Sequence, residues 1–200
     1  MTRRGVGLRW SSAHPGRVDG ARWVPSPNHD ARPVGSPVDL LVIHAISLPP
    51  DRFSGDAIEA LFTNTLDCDA HPYFDQLRDL RVSAHFLIRR RGELLQFVAT
   101  DARAWHAGVS SFAGRERCNE FSIGIELEGT ERHPFTAAQY RRLVALTLLL
   151  AQRHPLRHVA AHSDIAPGRK WDPGPHFDWG RYLAALRAAG APEPARTAAR

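Results

Sequence analysis

The most regular patterns of apolar and polar positions along the chain predict two core strands. Residues 38–46 contain the apolar run LLVI, as expected of a strand buried on both faces, and this run ends in His44. Residues 121–127 alternate strictly, so that Glu126 points to the face opposite the apolar row. Each predicted core strand therefore has a polar side chain near its end, and His44, at the exit of the first strand, is worth noting.

Apolar residues at helical spacing predict three helices. Residues 54–63 are expected to form a short helix with Ser54 as its N-cap. Thr136 and Gln139 form a capping box at the start of the strongest helix, and Asp178 caps the last one. The remaining strands, of which the first two form a hairpin around a turn signal, are predicted at residues 84–88, 94–98 and 157–162.

Strands interleaved with helices predict a mixed α/β fold with a single central β-sheet flanked by helices. Residues 1–37 are rich in proline, so they are expected to form an irregular leader that wraps the domain. The functional domain is predicted to cover residues 38–189. Residues 190–200, rich in Ala, Pro and Arg, are expected to form a flexible tail.

Composition and charge exclude several classes of protein. The 200 residues are 43% hydrophobic and 24% charged, which suits one globular domain. The net charge of +5 comes from scattered arginines, so nucleic-acid binding is not expected, and an acidic small substrate is equally compatible. The amino end lacks the apolar segment of a signal peptide, and no apolar run approaches the roughly 20 residues of a membrane span. We therefore expect a cytoplasmic protein whose Cys68 and Cys118 are reduced.

Two histidines and one aspartate are candidates for a metal site. His44 and His162 lie at strand ends and Asp172 lies in a loop rich in Gly and Pro, where side chains can point into a cleft. Two imidazoles and one carboxylate leave the fourth position of a tetrahedral zinc ion open to water. No HExxH or CxxC motif fixes the geometry, so the spacing alone leaves structural histidines as the alternative.

Four segments of the chain resemble one family of enzymes. They are LVIHAISLPP at 41–50, SAHFLIRRRGELLQ at 83–96, AWHAGVSSFAGRERCNEFSIGIELEGTE at 104–131 and AHSDIAPGRKWDPGPHFDW at 161–179. Together they closely resemble the AmpD-type anhydro-muramoyl-alanine amidases of the type-2 N-acetylmuramoyl-L-alanine amidase family. Four separate motifs in the same order make a chance match implausible.

The resemblance implies the fold of type-2 amidases and peptidoglycan-recognition proteins, with one zinc ion per chain. His44, His162 and Asp172 match the zinc ligands of the family, and Glu126 and Lys170 match residues of its catalytic step. Glu126 is expected to transfer a proton between water and the leaving nitrogen, and Lys170 to stabilise negative charge on the tetrahedral intermediate. The choice between Glu126 and Lys170 as donor of the final proton stays open.

Five further residues are candidates for substrate binding. Trp105 and His106 align with a segment that lines the active-site region of the family, although a buried structural role suits Trp105 equally well. The family commonly has Asn where this chain has Ala45, so a contact made by that amide is missing or replaced. Three arginines could bind the carboxylates of a stem peptide, with simple solvation as the alternative: Arg81, Arg115 and Arg117.

The resemblance implies hydrolysis of the amide bond between N-acetylmuramic acid, in the 1,6-anhydro form, and the L-alanine of the stem peptide. This reaction belongs to cytoplasmic peptidoglycan recycling. The expected partner is this small muropeptide, bound by a monomer, with no nucleic acid and no membrane. Three alternatives stay open: a module that binds muropeptides without cutting them, an enzyme that digests intact cell wall, and a regulator that binds nucleic acid.

Overall fold

The computed structural model describes residues 7–190 and 195–196. Within them the strands, in chain order, are β1 Arg9–Trp10, β2 Val18–Asp19, β3 Arg22–Trp23, β4 His29–Ala31, β5 Leu40–Ile46, β6 Phe86–Ile88, β7 Leu94–Gln96, β8 Ala102–Ala104, β9 Ser111–Phe112, β10 Arg115–Glu116, β11 Ser122–Glu128, β12 His158–Ala161 and β13 Ala195–Arg196. The α-helices are α1 Ala57–Phe62, α2 Ala137–Ala151, α3 His162–Ile165 and α4 Trp179–Ala188. Short 3-10 helices occur at Cys68–Ala70, Pro72–Leu77 and Cys118–Glu120.

One central sheet holds seven of these strands, in the order β13-β12-β5-β11-β6-β7-β3. Strands β12, β5, β11 and β6 run parallel to one another, whereas β6 and β7 form an antiparallel hairpin. The sheet is therefore mixed and flanked by helices, which confirms the predicted fold class. It also contains the strands predicted within residues 38–46, 84–88, 94–98, 121–127 and 157–162.

Side-chain caps determine where the two longer helices begin. Thr136 Oγ1 accepts the backbone N–H of Gln139 at 3.1 Å, and Gln139 Oε1 accepts that of Thr136 at 3.0 Å. The predicted capping box of α2 is therefore confirmed. Asp178 caps α4, as predicted, by accepting the backbone N–H of Arg181 at 2.8 Å.

The first helix, α1, begins later than the sequence predicts. Gly55 turns the chain with a φ of +85°, and Asp56 takes the N-cap position without a side-chain hydrogen bond. Ser54 therefore lies before this turn, and the predicted Ser54 cap is wrong. The helix is stabilised instead by its apolar face, which buries Ile58, Leu61 and Phe62.

The two faces of the sheet have different surroundings, because successive residues of a strand point to opposite sides. One face packs against α2 and α4 in the largest apolar core, which includes Leu41, Ile43, Ile123, Ile125, Leu143 and Tyr182. The opposite face is covered by α1 and by loops, with Leu40, Val42, Ala107, Phe112, Ala160 and Ile165 in one of its clusters. This second face carries the candidate functional residues.

The leader and the tail differ in part from the sequence prediction. Strand β3 joins the central sheet by pairing with β7, so the expected lack of regular structure is wrong there. Ala195–Arg196 of the predicted tail pair with β12, while 191–194 and 197–200 lie outside the described residues, as do 1–6 of the leader. The domain limits themselves stay a prediction. Among the described residues, no helix is long and apolar enough to span a membrane.

Candidate active site

Strands β5 and β11 place His44 and Glu126 side by side. The strands are parallel, and His44 is the register partner of Glu126, so both side chains point to the same face. Both are buried, with 1% of His44 and 9% of Glu126 exposed. The alternation that directs Ile43 and Ile125 into the core therefore directs these two polar side chains to the opposite face.

Strand β12, the other neighbour of β5, leads to the second histidine. β12 ends at Ala161, and His162 begins α3 directly afterwards. Asp164 fixes this junction by accepting the backbone N–H of Ala161 at 2.7 Å. The following loop returns Asp172 to the same place, where its backbone carbonyl accepts the N–H of Ser163 at 3.0 Å.

Three potential ligand atoms converge at this point. His44 Nδ1 lies 2.9 Å from His162 Nδ1 and 3.2 Å from Asp172 Oδ2, and His162 Nδ1 lies 3.1 Å from the same oxygen. Two unprotonated imidazole nitrogens cannot hydrogen-bond to each other, whereas a divalent cation accepts a lone pair from each of them and from the carboxylate. The three buried side chains therefore fit a metal ion with two nitrogen ligands and one oxygen ligand.

The ionisation of these groups also suits a metal ligand set. Burial, followed by the charge of the neighbouring His162, lowers the pKa of His44 to about 4, so its ring is neutral at pH 7. Burial acts to raise the pKa of Asp172, but its close contacts with His162 and His44 outweigh it and hold this pKa below its usual value. Neutral imidazole and ionised carboxylate are the forms that bind metals.

Glu126 contributes a carboxyl group with no protein partner at one of its oxygens. Its Oε2 is buried and has no hydrogen-bond partner within the described part of the chain. Burial raises the pKa of Glu126 well above its usual value, the negative charge of Asp172 raises it further, and Lys170 opposes the rise. A buried, unpartnered carboxyl group with a raised pKa is a candidate for proton transfer.

The side chains of Glu126, His162 and Asp172 open into a cleft of about 640 Å³. This volume is in the range of sites for small ligands. Lys170 is exposed and lines the same cleft, two residues before Asp172. The cleft therefore brings together the predicted catalytic pair and two of the predicted metal ligands, while His44 is buried and is not part of the cleft lining.

Three of the predicted substrate-binding residues line the cleft: Arg81, Trp105 and His106. Arg81 is exposed, and its Nη1 donates to the backbone carbonyls of Arg78 and Leu80 at 3.1 Å each. Trp105 is partly buried, so it combines a structural position with a surface toward the cleft. Ala45, the departure from the family pattern, also lies in the cleft lining.

The structure does not bring Arg115 and Arg117 into the cleft. Arg115 donates to Asp39 at 2.9 Å, and its guanidinium lies 3.8 Å above the ring of Phe121. Arg117 pairs with Glu120 at 2.8 Å on the outer surface. Because these partners hold both guanidinium groups outside the cleft, the sequence prediction that they contact the substrate is not supported.

His106 lies in the wall of the cleft, but both of its ring nitrogens already have protein partners. Its Nδ1 is 2.9 Å from His44 Nε2, and its Nε2 is 3.1 Å from Ser122 Oγ. Only 8% of the residue is exposed, and burial lowers its pKa well below the usual value. The direct substrate contact stays a prediction, and the contact that the structure shows for the His106 ring is with His44.

Sequence reasoning missed the groups that support the site from behind. The backbone carbonyl of Ala107 lies 3.2 Å from His162 Nε2. A Cβ atom at Gly124 would lie 2.4 Å from Cγ of His106, so glycine leaves the room that this ring needs. Ser122 and Gly124 share the face of Glu126 in the alternating strand β11, and this alternation is the signal that could have found them.

Three residues of the cleft lining were also missed: Arg132, Arg169 and Trp171. Arg169 donates to the backbone carbonyls of Ala107 and Val109 at 2.6 Å each, and Arg132 forms an ion pair with Asp51. Arg169 and Trp171 flank Lys170 in the sequence, which is a usable signal. The position of Arg132 depends on the loop after β11 and has no such signal.

Solved structures share this fold. A crystal structure of a selenomethionine derivative of AmpD is 56% identical and aligns with a TM-score of 0.85, covering 86% of this chain and 98% of that one. AmiD from Escherichia coli, solved in complex with the substrate anhydro-N-acetylmuramic acid-L-Ala-D-gamma-Glu-L-Lys, is 29% identical with a TM-score of 0.55, covering 92% of this chain and 66% of that one. PGRP-SA from Apis mellifera, 14% identical with a TM-score of 0.56 over 90% of this chain and 99% of that one, shares the fold alone. The fold and the cleft define an enzyme of the amidase class.

Within that class, the chain belongs to the N-acetylmuramoyl-L-alanine amidase family, whose model matches residues 34–175. The 1,6-anhydro-N-acetylmuramyl-L-alanine amidase AmpD of Enterobacter cloacae is 59% identical over 168 residues, which are 83% of this chain and 90% of that protein. AmpD of Haemophilus influenzae is 48% identical over 175 residues, 86% of this chain and 95% of that protein. The predicted family and the predicted class of enzyme are confirmed.

Proposed function

We propose that this amidase hydrolyses the bond between 1,6-anhydro-N-acetylmuramic acid and the L-alanine of the stem peptide, with zinc as its cofactor. The observation that carries the proposal is the convergence of His44, His162 and Asp172 beside the buried carboxyl group of Glu126 at one cleft. The cellular setting that suits this reaction is peptidoglycan recycling in the cytoplasm. The proposed active form is a monomer.

The proposed substrate is supported by the relatives. AmpD proteins that are 59% and 48% identical to the chain are named as amidases of the 1,6-anhydro form. AmiD, which shares the fold, was solved with an anhydro-muramoyl tripeptide. The chemistry of the cleft rim is compatible with such a ligand, because the stem peptide carries carboxylates and the rim carries Arg81, Arg132, Arg169 and Lys170.

The proposed zinc ligands are the Nδ1 atoms of His44 and His162 and the Oδ2 atom of Asp172. Two imidazoles and one carboxylate are a ligand set that zinc hydrolases use, and it leaves a position open for water or substrate. The chemistry that zinc supplies in such a site is polarisation of a carbonyl oxygen and a lower pKa of water.

Glu126 is the proposed proton carrier. Its raised pKa makes the carboxylate a stronger base than an ordinary glutamate, and its Oε2 is free of protein hydrogen bonds within the described residues. Glu126 takes a proton from the water whose oxygen attacks the lactyl carbonyl carbon. As the carbon–nitrogen bond breaks, this proton reaches the alanine nitrogen, so a carboxylic acid and a free amine result.

Lys170 is the proposed source of positive charge at the cleft. Its charge acts on Glu126 by opposing the rise of the Glu126 pKa. The ammonium group therefore lies within electrostatic reach of the reacting groups. A fixed positive charge stabilises the negative oxygen that develops during attack on the carbonyl. The proposed substrate contacts are Arg81 and Trp105, which line the same cleft.

Replacement of Glu126 tests the proton-transfer step. We expect Glu126→Gln to lower kcat for an anhydro-muramoyl tripeptide at least about 100-fold, because the amide has the same shape but cannot accept the proton. The zinc content, measured by elemental mass spectrometry, should match that of the wild type. Peptide release is followed by liquid chromatography and mass spectrometry.

The matched control is Glu131→Gln, which makes the same change at an exposed glutamate of the cleft lining. Its kcat is expected to stay within about threefold of the wild type, since this carboxylate has no role in the chemistry. Wild-type kcat in a zinc-loaded Glu126→Gln protein would contradict the role of Glu126. Equal losses in both variants would indicate an effect of cleft charge rather than of proton transfer.

A further inference from the structure

A buried chain of side chains leads away from His44 on the side opposite the proposed ligand cluster. His44 Nδ1 faces His162 and Asp172, whereas its Nε2 lies 2.9 Å from Nδ1 of His106. The other nitrogen of His106 lies 3.1 Å from Ser122 Oγ, and this hydroxyl donates to the backbone carbonyl of Cys118 at 2.6 Å. Neither His106 nor Ser122 is needed for the proton transfer assigned to Glu126.

The Ser122 end of this row of hydrogen-bonded side chains fixes the direction of every hydrogen bond in the row. Because the Ser122 hydroxyl donates to a carbonyl, it must accept from His106 Nε2, which therefore carries a proton. A neutral His106 then has a lone pair at Nδ1 and accepts the Nε2 proton of His44. His44 is left with its lone pair at Nδ1, toward Asp172 and His162. This row of hydrogen bonds thus selects the tautomer of His44 that a metal ligand needs.

The position of His106 is itself determined by surrounding backbone groups. Asn119 Oδ1 accepts the backbone N–H of both His106 and Ala107, at 3.1 and 2.8 Å. Gly124 leaves the space for the ring, since a Cβ there would lie 2.4 Å from Cγ of His106. The rings of His44 and His106 meet edge to face at 86°, with their centroids 5.0 Å apart.

The same loop also reaches the second proposed ligand. The carbonyl of Ala107 lies 3.2 Å from His162 Nε2, so His162 is oriented by backbone and His44 by a side chain. A change of the His106 side chain therefore removes the support of one histidine and leaves that of the other in place. This asymmetry makes the role of His106 testable by substitution.

We propose that His106 is a positioning residue, which accepts the Nε2 proton of His44 and holds the Nδ1 lone pair of His44 toward the metal. The proposal rests on the zinc ligands proposed above and assigns His106 no contact with the substrate. Hydrogen-bond partners of metal-bound histidines raise metal affinity by about 10- to 100-fold. The expected property of His106 is therefore an effect on zinc binding, which is separate from catalysis.

Two isosteric variants separate positioning from simple packing. In His106→Asn the amide oxygen can take the place of Nδ1 and keep an acceptor for His44. In His106→Gln the amide takes the place of Nε2 and keeps the contact with Ser122 but not the acceptor. Zinc dissociation constants of the full-length proteins are measured by competition with a chromophoric chelator, and the visible spectrum of the cobalt-substituted proteins reports ligand geometry.

We expect zinc affinity to fall about 10- to 100-fold in His106→Gln and to stay within about fivefold of the wild type in His106→Asn. The cobalt spectrum should change only in His106→Gln, and urea unfolding of the metal-free variants should be equal. Equal zinc affinities of the two variants would overturn the positioning role alone. Failure of the wild type to bind zinc would overturn both this role and the proposed cofactor.

Discussion

His154 follows helix α2, and burial is the main influence on its pKa. Its Nε2 lies 3.0 Å from Thr100 Oγ1, and its ring meets that of Trp10 edge to face. Burial, followed by the positive charge of Arg32, lowers the pKa of His154 to about 4 from 6.5. The folded protein therefore binds fewer protons here than the unfolded chain between these two pH values. Its contribution to stability is present above pH 6.5 and is lost as the pH falls toward 4.

Replacement of His154 should make the free energy of unfolding less dependent on pH. We expect the wild type to lose about 1–2 kcal/mol more unfolding free energy than His154→Gln between pH 7 and pH 5, because glutamine takes up no proton. Urea unfolding at the two pH values measures the difference. His14→Gln, at an exposed histidine, is the control and should lose as much as the wild type. Parallel losses in all three proteins would contradict the account of His154.

At the scale of residues, the sequence could predict polar groups held at strand ends but not the partners of long side chains. His44 and Glu126 lie within strands, so the direction of their side chains is given by strand alternation, and His162 directly follows the apolar strand β12. Arg115 and Arg117 have flexible side chains whose partners, Asp39 and Glu120, become neighbours only after folding or local turning. The residue type therefore predicted carboxylate binding for them but not its location.

The elements of the fold differ in how much of their stability is local. Helix α2 begins with reciprocal hydrogen bonds between Thr136 and Gln139, and Thr136 Oγ1 also donates to the carbonyl of Arg90 at 2.7 Å. Helix α1 has no side-chain cap and depends on its apolar face. The two helix starts therefore respond differently to the loss of a hydroxyl group.

Removal of the hydroxyl at each position tests this difference. Thr136→Ala should lower the free energy of unfolding by about 1–2 kcal/mol, since the backbone N–H of Gln139 loses its acceptor. Ser54→Ala should change it by less than about 0.5 kcal/mol, because Ser54 does not cap α1. Urea unfolding of both variants gives the comparison. A loss of similar size in Ser54→Ala would restore the cap that the sequence predicts.

Elements with strong local patterns could be predicted from the sequence, and the shortest could not. β11 and α2 have apolar periodicity over seven residues or more and β5 contains a continuous apolar run, and these patterns agree with the structure. β3 and β13 contain two residues each and exist because a distant strand edge is available for pairing. No local periodicity can reveal a strand whose hydrogen bonds all depend on the tertiary fold.

At the scale of the whole molecule, one sheet serves two purposes through its two faces. The face against α2 and α4 forms the largest apolar core and holds the strands in register. That register places His44 beside Glu126 on the other face. Strand β12, which pairs with β5 on the side away from β11, leads to His162. The order of the strands could not be read from local patterns. The prediction that the site residues lie close together therefore depended on the resemblance to the amidase family.

The central claim is that this cleft cuts the amide bond between the lactyl group and L-alanine. The most direct test is hydrolysis of anhydro-N-acetylmuramic acid-L-Ala-D-gamma-Glu-L-Lys in ¹⁸O-labelled water, followed by mass spectrometry, with zinc-loaded and chelated wild type compared. We expect the zinc-loaded enzyme alone to release anhydro-N-acetylmuramic acid with one ¹⁸O in its carboxyl group and an unlabelled tripeptide. No cleavage by the folded, zinc-loaded protein, or label in a peptide fragment, would contradict the account.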